Sequence, residues 1–223
     1  MEPFTAEQCR VLGCLVEKEA TVPDSYPLTL NALRAACNQT SNRDPVVDYD
    51  ERAVTDALTA LKERRVARFV HPSHGERATK YRHVLDEAWG LAPGELAVLA
   101  VLVLRGPQTP GELRARTERY PGGSEARATL DALDALAGRD EPLVVELPRQ
   151  PGQKEQRWAH LLEGDVDLEA LATAAAPRGS SRDGRLDELE AEVAELRRLV
   201  DHLYGVLGED RPGPGRGFTQ DIS

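Results

Sequence analysis

Positive charge is concentrated in one short stretch of an otherwise acidic sequence. Residues 62–82 hold seven Lys or Arg side chains against two Glu, whereas the whole chain has a formal charge of −10. Several cations on one surface bind phosphate groups and give sequence-independent affinity for nucleic acid. We therefore predict a nucleic-acid contact formed by Arg64, Arg65, Arg68, Arg77, Lys80 and Arg82. The alternative is a solvated ribbon whose basic residues protect the edges of a sheet.

A polar loop upstream offers a second set of hydrogen-bonding groups. Residues 38–44 are amides, hydroxyls and charged side chains, and Pro45 ends the stretch. Amide and guanidinium groups match the edges of bases and also the backbone of a partner protein, so we add Asn42 and Arg43 to the predicted nucleic-acid contacts. Turn formation and helix capping explain the same residues without any partner. An ion pair of Arg43 with Asp44 or with the basic stretch is a further alternative.

The motifs of common enzyme classes are missing from the sequence. There is no nucleophile elbow, zinc-protease motif, Walker loop or dinucleotide fingerprint. His71 and His74 have a spacing that metal sites use, but no Cys or carboxylate cluster is beside them in the sequence, so we expect no metal. Cys9, Cys14 and Cys37 form no CxxC pair and are expected to be small buried hydrophobes. We therefore expect a protein that is not an enzyme and needs no cofactor.

The elements that must position the basic stretch occur twice in the chain. The run DALTAL at residues 56–61 recurs as DALDAL at residues 131–136. Each run ends a group of three stretches with helical spacing, and an alternating, hairpin-like stretch follows it. Helix, helix, helix, hairpin is the order of a winged helix, a variant of the helix-turn-helix. We therefore predict an α+β fold, mainly α with small β-hairpins, that holds two tandem winged-helix domains and a C-terminal coiled-coil helix.

Local signals place the elements of each copy. Thr5 with Gln8, and Thr109 with Glu112, form capping boxes, and Asp50 caps the third helix of the first copy. In the first copy we predict helices over residues 5–20, 29–37 and from 50, and strands over 66–70 and 79–83 around a turn at 72–75. In the second copy we predict helices over 93–104, from 109 and over 124–138, and strands over 143–147 and 156–159.

The third helix of each copy argues against reading of the DNA major groove. In DNA-binding winged helices this helix enters the groove by its N-terminal end. Here it begins with acidic residues, among them Asp50, Glu51 and Asp56 in the first copy. Acid in the first turns suits the helix dipole but repels phosphate. We therefore expect any DNA contact to come from the basic ribbon.

Three segments of the first copy carry a specific pattern. They are CRVLGCLVEKE at residues 9–19, YPLTLNAL at 26–33 and ACNQTSNRDPV at 36–46. Together they closely resemble the YceH-like family of bacterial proteins. The resemblance is specific over about residues 4–85 and looser to about residue 162. It implies tandem winged-helix domains in a bacterial cytoplasmic protein, and it implies no settled biochemical role.

The C-terminal segment has the heptad pattern of a coiled coil. Over three heptads every a and d position is apolar, and these positions are Leu186, Leu189, Val193, Leu196, Val200, Leu203 and Leu207. Valine at central a positions with leucine at d favours two parallel strands, so we predict a parallel homodimer. Docking of this helix on its own chain is the alternative, because three heptads are short.

These signals divide the chain into five segments. We predict a first winged-helix domain at 1–88, a second at 89–163, a linker at 164–184, the coiled-coil helix at 185–207 and a disordered tail at 208–223. No stretch approaches the ~18 apolar residues of a membrane span and no signal region opens the chain, so we expect a cytoplasmic protein. We predict a DNA-binding or transcription-regulatory protein that contacts the DNA backbone through the first ribbon. A scaffold whose winged-helix pairs grip a partner protein is the alternative, favoured by the acidic third helices.

Overall fold

The structure is a computed structural model of the 223-residue chain. It describes residues 2–71, 78–121, 126–149, 153 and 155–164. The predicted coiled-coil helix with its seven apolar positions, the tail and nearly all of the linker lie outside the described residues. Arg77 and the predicted turn at residues 72–75 also lie outside them. Within the described ranges the fold is mixed, with α-helices and small antiparallel sheets, which confirms the predicted α+β class.

The first half of the described chain combines three helices with a three-stranded antiparallel sheet. Its elements are α1 (Ala6–Thr21), a 3₁₀ turn (Pro23–Ser25), β1 (Leu28–Thr29), α2 (Leu30–Cys37), α3 (Glu51–Glu63), β2 (Ala67–Val70) and β3 (Lys80–His83). The strand order in the sheet is β1-β3-β2. Phe69 of β2 lies opposite Tyr81 of β3, and their rings pack edge to face with centroids 4.9 Å apart. Both aromatic side chains pack against the core, so they serve burial.

The second half repeats this order with shorter connections. Its elements are α4 (Leu85–Trp89), α5 (Pro93–Arg105), α6 (Pro110–Thr117), α7 (Ala126–Ala137), β4 (Val144–Glu146) and β5 (Trp158–His160). β4 and β5 pair as an antiparallel hairpin. Gln108, just before α6, forms an isolated bridge to Trp158 of β5, as β1 pairs with β3 in the first half. The short α4, which follows β3 and leads into α5, was not predicted.

Side-chain caps fix the starts of three helices as predicted. Thr5 accepts a hydrogen bond from the backbone of Gln8, whose side chain accepts one from the backbone of Thr5. Thr109 makes the same reciprocal cap with Glu112 at the start of α6. Asp50 caps α3 by accepting a bond of 2.7 Å from a backbone N–H three residues on. Each cap contributes about 1 kcal/mol and depends only on neighbouring residues.

One hydrophobic core runs through both halves, and α1 and α5 form its centre. Nine consecutive residues of α1 (9–17) and eight of α5 (97–104) are buried, so each helix is covered on all sides. The two helices approach closely at Gly13, where an added Cβ would lie 3.0 Å from side-chain atoms of Val103 and Leu104. The two halves of the described chain therefore belong to one compact unit.

Three free cysteines belong to this core. Cys9, Cys14 and Cys37 are all buried, as predicted for small apolar side chains. Within the ranges given above, no group of three or more His, Cys, Asp or Glu side chains is placed to hold a metal ion. No helix in those ranges combines the length and hydropathy needed to cross a membrane.

Replacing Gly13 with alanine tests the contact between α1 and α5. The added methyl group meets side-chain atoms of α5 at 3.0 Å, so those side chains must shift or the helices must separate. We expect the free energy of unfolding to fall by about 1–3 kcal/mol, although alanine favours a helix over glycine by about 1 kcal/mol. Urea denaturation followed by circular dichroism measures the change.

Gly111→Ala is the matched control for this substitution. Position 111 is exposed in the first turn of α6, and the nearest atom to an added Cβ is 3.8 Å away. We expect unchanged or slightly higher stability for this variant. A Gly13→Ala protein as stable as the Gly111→Ala protein would contradict the close packing of α1 and α5.

Candidate nucleic-acid interface

The basic ribbon places two arginines directly opposite each other. Arg68 of β2 is in register with Arg82 of β3. Like charges at opposed positions on neighbouring strands destabilise a sheet unless an anion lies between them. Glu87 of α4 supplies that anion, with one carboxylate oxygen 2.8 Å from Arg68 and the other 2.7 Å from Arg82. We call these three residues the ribbon clamp.

The short helix α4 holds Glu87 in this position. Val84 donates a backbone hydrogen bond of 2.9 Å to Val66, and Leu85 is buried in the core, so α4 starts directly at the end of β3. The side chains of Arg68, Arg82 and Glu87 are 57%, 33% and 45% exposed. Ion pairs with this exposure contribute at most about 1 kcal/mol. A phosphate group can therefore compete with the carboxylate of Glu87.

Two other predicted contacts, Arg64 and Lys80, lie outside the ribbon clamp. Arg64 donates to the backbone carbonyls of Pro3, at 3.0 Å, and Glu2, and its guanidinium lies 3.4 Å from the centre of the Phe4 ring. It therefore fastens the N-terminal segment to the end of α3. Lys80 is half-buried on β3, in register with residues of both neighbouring strands.

Arg65 ends α3 in the left-handed conformation, with φ at 60°. The backbone of Arg65 donates to Lys62 and that of Val66 donates to Leu61, both at 3.0 Å, which is the Schellman pattern in which glycine is usual. A residue with a Cβ costs about 1 kcal/mol in this conformation. Arg65 is exposed, and the described part of the structure gives it no ion pair. Its charge is therefore presented to solvent at a cost in stability.

Arg43, predicted as a nucleic-acid contact, lies instead in the core. Its guanidinium donates to both carboxylate oxygens of Glu17, at 3.1 and 2.6 Å, and also to the backbone of Ala36 and the side chain of Gln39. The Arg43 side chain has no exposed surface. It cannot reach a nucleic acid from this position, so Arg43 drops out of the predicted contact set. It closes the loop at residues 38–45 onto α1 and α2.

The electrostatics of this buried pair keep Glu17 ionised. Burial raises the pKa of Glu17, but the hydrogen bonds and charge of Arg43, together with the charge of Lys18, lower that pKa below its ordinary value. Lys18 lies 3.3 Å from the same carboxylate. The alternative pairing of Arg43 with Asp44 is not formed, and the backbone N–H of Asp44 donates to the carbonyl of Leu104 at 2.8 Å.

Asn42 lies at the seam, our name for the contact of α1 and the loop at residues 38–45 with α5. Its φ is 61°, which asparagine tolerates better than most residues. Its side-chain oxygen accepts a hydrogen bond from Arg105 at the end of α5. Asn42 is exposed, but this bond already gives it a structural role between the two halves.

A second basic cluster at the seam was missed from the sequence. The positive charges of Arg116 and Arg119, after burial, lower the pKa of Arg105, so the three guanidinium groups lie near one another. Glu112 is 3.8 Å from Arg116. The run RARTER at residues 114–119 is the signal in the sequence, but only the packing of α6 against α5 brings Arg105 to it.

A family model described as a protein of unknown function, DUF480, matches residues 4–153. This range includes the ribbon clamp, the loop at residues 38–45 and the arginines of the seam. The chain belongs to the DUF480 family. The bacterial family that the sequence predicted is thus confirmed.

Several bacterial relatives, all UPF0502 proteins, are similar over nearly their whole length. The protein of Geobacter sulfurreducens is 49% identical over 209 residues, which cover 92% of this chain and 94% of the relative. That of Delftia acidovorans is 44% identical over 218 residues, 95% of each chain. That of Enterobacter sp. (strain 638) is 44% identical over 213 residues, 92% of this chain and 98% of the relative.

Glu17→Gln tests the buried pair. It leaves the guanidinium of Arg43 buried without its counter-charge, so we expect the free energy of unfolding to fall by about 3–5 kcal/mol. Asp56→Asn is the matched control because its partner Arg52 is 3.7 Å away and both side chains are more than 70% exposed. We expect a change below about 0.5 kcal/mol for the control. Equal losses in the two variants, measured by urea denaturation, would contradict a special role for Glu17.

The free energy of unfolding should depend differently on acidic pH in Glu17→Gln and in the wild type. The pKa of Glu17 is lower in the folded protein than in the unfolded chain, so the stabilisation is complete above the ordinary glutamate pKa. It is lost as the pH falls through the lower folded-state pKa. Glu17→Gln has no such group, and its stability should fall less steeply than that of the wild type over this acidic range.

Proposed function

We propose that this protein is a non-enzymatic tandem winged-helix protein that binds the DNA backbone through the ribbon of its first half. The order α1-β1-α2-α3-β2-β3, with a sheet ordered β1-β3-β2, supports the winged-helix assignment. The second half has the same order, with Gln108 in the place of β1. In this assignment the ribbon of β2 and β3 is the wing, which in DNA-binding members of the fold lies against the DNA backbone.

The ribbon clamp is the observation that carries the proposal. Arg68 and Arg82 converge on one two-oxygen anion, which is the geometry in which guanidinium groups bind a phosphate. Glu87 neutralises only one of their two charges, so a net positive charge remains. Arg65 adds an exposed cation at a position where glycine would cost less.

The binding mode that follows is weak and independent of base sequence. A surface that neutralises ~4 phosphates gives a slope of about −3.6 for log affinity against log salt. Glu87 acts as an internal competitor that lowers affinity at every salt concentration. The parallel homodimer predicted from the heptads at residues 186–207 would give each assembly two clamps and a steeper slope.

Variants of the ribbon clamp test this function because removal of Glu87 and removal of the arginines should change DNA affinity in opposite directions. Glu87→Gln should bind a 30-bp duplex several-fold more tightly at 50 mM salt, because both arginines lose their competitor. Arg68→Ala with Arg82→Ala should reduce the salt slope by about 1.8, or 0.9 for each lost phosphate contact. Fluorescence anisotropy between 50 and 200 mM salt measures both effects on the full chain.

A matched control and a broader variant complete the test. Arg127→Ala removes an exposed arginine of α7 whose partner Asp131 is 3.8 Å away, and DNA affinity should not change. A protein with Arg68, Arg77, Lys80 and Arg82 all changed to Ala should lose binding at 50 mM salt. The proposal fails if this protein binds as well as the wild type, or if Glu87→Gln weakens binding.

A scaffold that grips a partner protein is the second candidate function. On α7 the apolar side chain of Leu130 is 49% exposed, and the acidic residues Asp131 and Asp134 are exposed near it. An acidic helix face with an apolar centre fits a basic amphipathic helix of a partner. Recovery of one stoichiometric protein, lost with Leu130→Asp, together with no DNA binding at 50 mM salt, would select this candidate.

A further inference from the structure

A cavity of about 330 Å³ lies between the two halves of the molecule. Its walls come from α1, from the junction of β3 with α4, from the start of α5 and from the residues that follow α6. Most of the lining is apolar, with Val16, Leu91, Leu96 and Tyr120 among the residues that face it. A volume above about 300 Å³ and an apolar lining with a few polar groups are typical of sites for small molecules.

One wall of the cavity carries three ionisable side chains, Glu19, His83 and Asp86. The Nε2 atom of His83 lies 2.6 Å from Glu19, and the backbone N–H of Leu85 donates to Nδ1 of His83 at 3.3 Å. Both ring nitrogens of His83 therefore have a partner, and Nε2 lies within hydrogen-bond distance of the Glu19 carboxylate. The imidazole therefore orients the Glu19 carboxylate, and two carboxylates share this wall with a single imidazole.

The two carboxylates keep acceptor capacity that His83 does not use. Glu19 has a second oxygen, and Asp86 approaches the imidazole only to 3.9 Å. The nearby guanidinium of Arg82 is bound to Glu87 instead. The structure gives neither Glu19 nor Asp86 a Lys or Arg partner within its described ranges. One end of the cavity is therefore negative and the rest is apolar.

We propose that this cavity binds a small organic cation, a protonated amine carried on an aromatic or aliphatic group. The ammonium donates hydrogen bonds to Glu19 and Asp86, and the apolar group lies between α1 and α5. The proposal uses no residue that we assign to DNA binding, so either one stands if the other fails. Residues of both halves line the cavity, so an occupant stabilises the packing of α1 against α5.

Three probes that differ mainly in charge test the proposal on the full chain. They are 2-phenylethylamine, the neutral 2-phenylethanol and the anionic 3-phenylpropanoate. We expect isothermal titration calorimetry to show binding of the amine at least about tenfold tighter than that of the alcohol, and no binding of the acid. The amine should also raise the thermal unfolding temperature.

Substitutions of cavity residues test whether the amine binds in this cavity. Glu19→Gln and Asp86→Asn should each weaken binding of the amine by about three- to fivefold, because both carboxylates are about half exposed, and Ala20→Phe should abolish binding by filling the cavity. If Glu19→Gln is unstable because it loses the contact with His83, Asp86→Asn still tests the role of the carboxylates. Glu63→Gln, which removes an exposed carboxylate of α3 that does not line the cavity, is the matched control and should change affinity less than twofold.

Circular dichroism of each variant verifies that it is folded. The proposal is overturned if the amine does not bind, if the three probes bind equally, or if a folded Ala20→Phe protein binds the amine as well as the wild type. Loss of DNA binding in the ribbon variants with intact amine binding would support the separation of the two sites.

Discussion

The close approach of α1 and α5 is the contact on which the rest of the molecule depends. Each helix is buried along its middle, because elements of its own half cover part of its surface and the helix of the other half covers the rest. Gly13 makes this possible because it leaves room for Val103 and Leu104 at the narrowest point. The same packing brings the loop at residues 38–45 against α5, assembles the arginines of the seam and encloses the cavity. These three features are consequences of one helix contact.

The features that could be predicted from the sequence are those that depend on neighbouring residues. Thr5 and Asp50 cap helices through backbone groups three residues away, so the starts of those helices were predicted correctly. Contacts between distant residues were not predicted. The burial of Arg43 depends on Glu17, which precedes it by 26 residues, and no local pattern connects them. The partner of Arg68 is Glu87 on α4, a helix that was not predicted. Periodicity thus predicted the class of the fold, but not which cations remain at the surface.

Sites of opposite charge meet at the short helix α4. Asp86 faces the cavity, whereas Glu87 holds the two arginines of the ribbon clamp. Adjacent residues of a helix point about 100° apart, so one turn can serve both sites. A displacement of α4 therefore alters the negative wall of the cavity and the competitor of the clamp together.

The position of α1 and α5 in the chain has a consequence during synthesis. A ribosome that adds about 5–20 residues per second needs roughly 4–17 seconds to pass from the end of α1 at Thr21 to the end of α5 at Arg105. Throughout that interval the nascent amino-terminal half has no covering for the face of α1 around Gly13. The apolar face of α1 around Gly13 thus acquires its folded-state partner only when α5 has been synthesised.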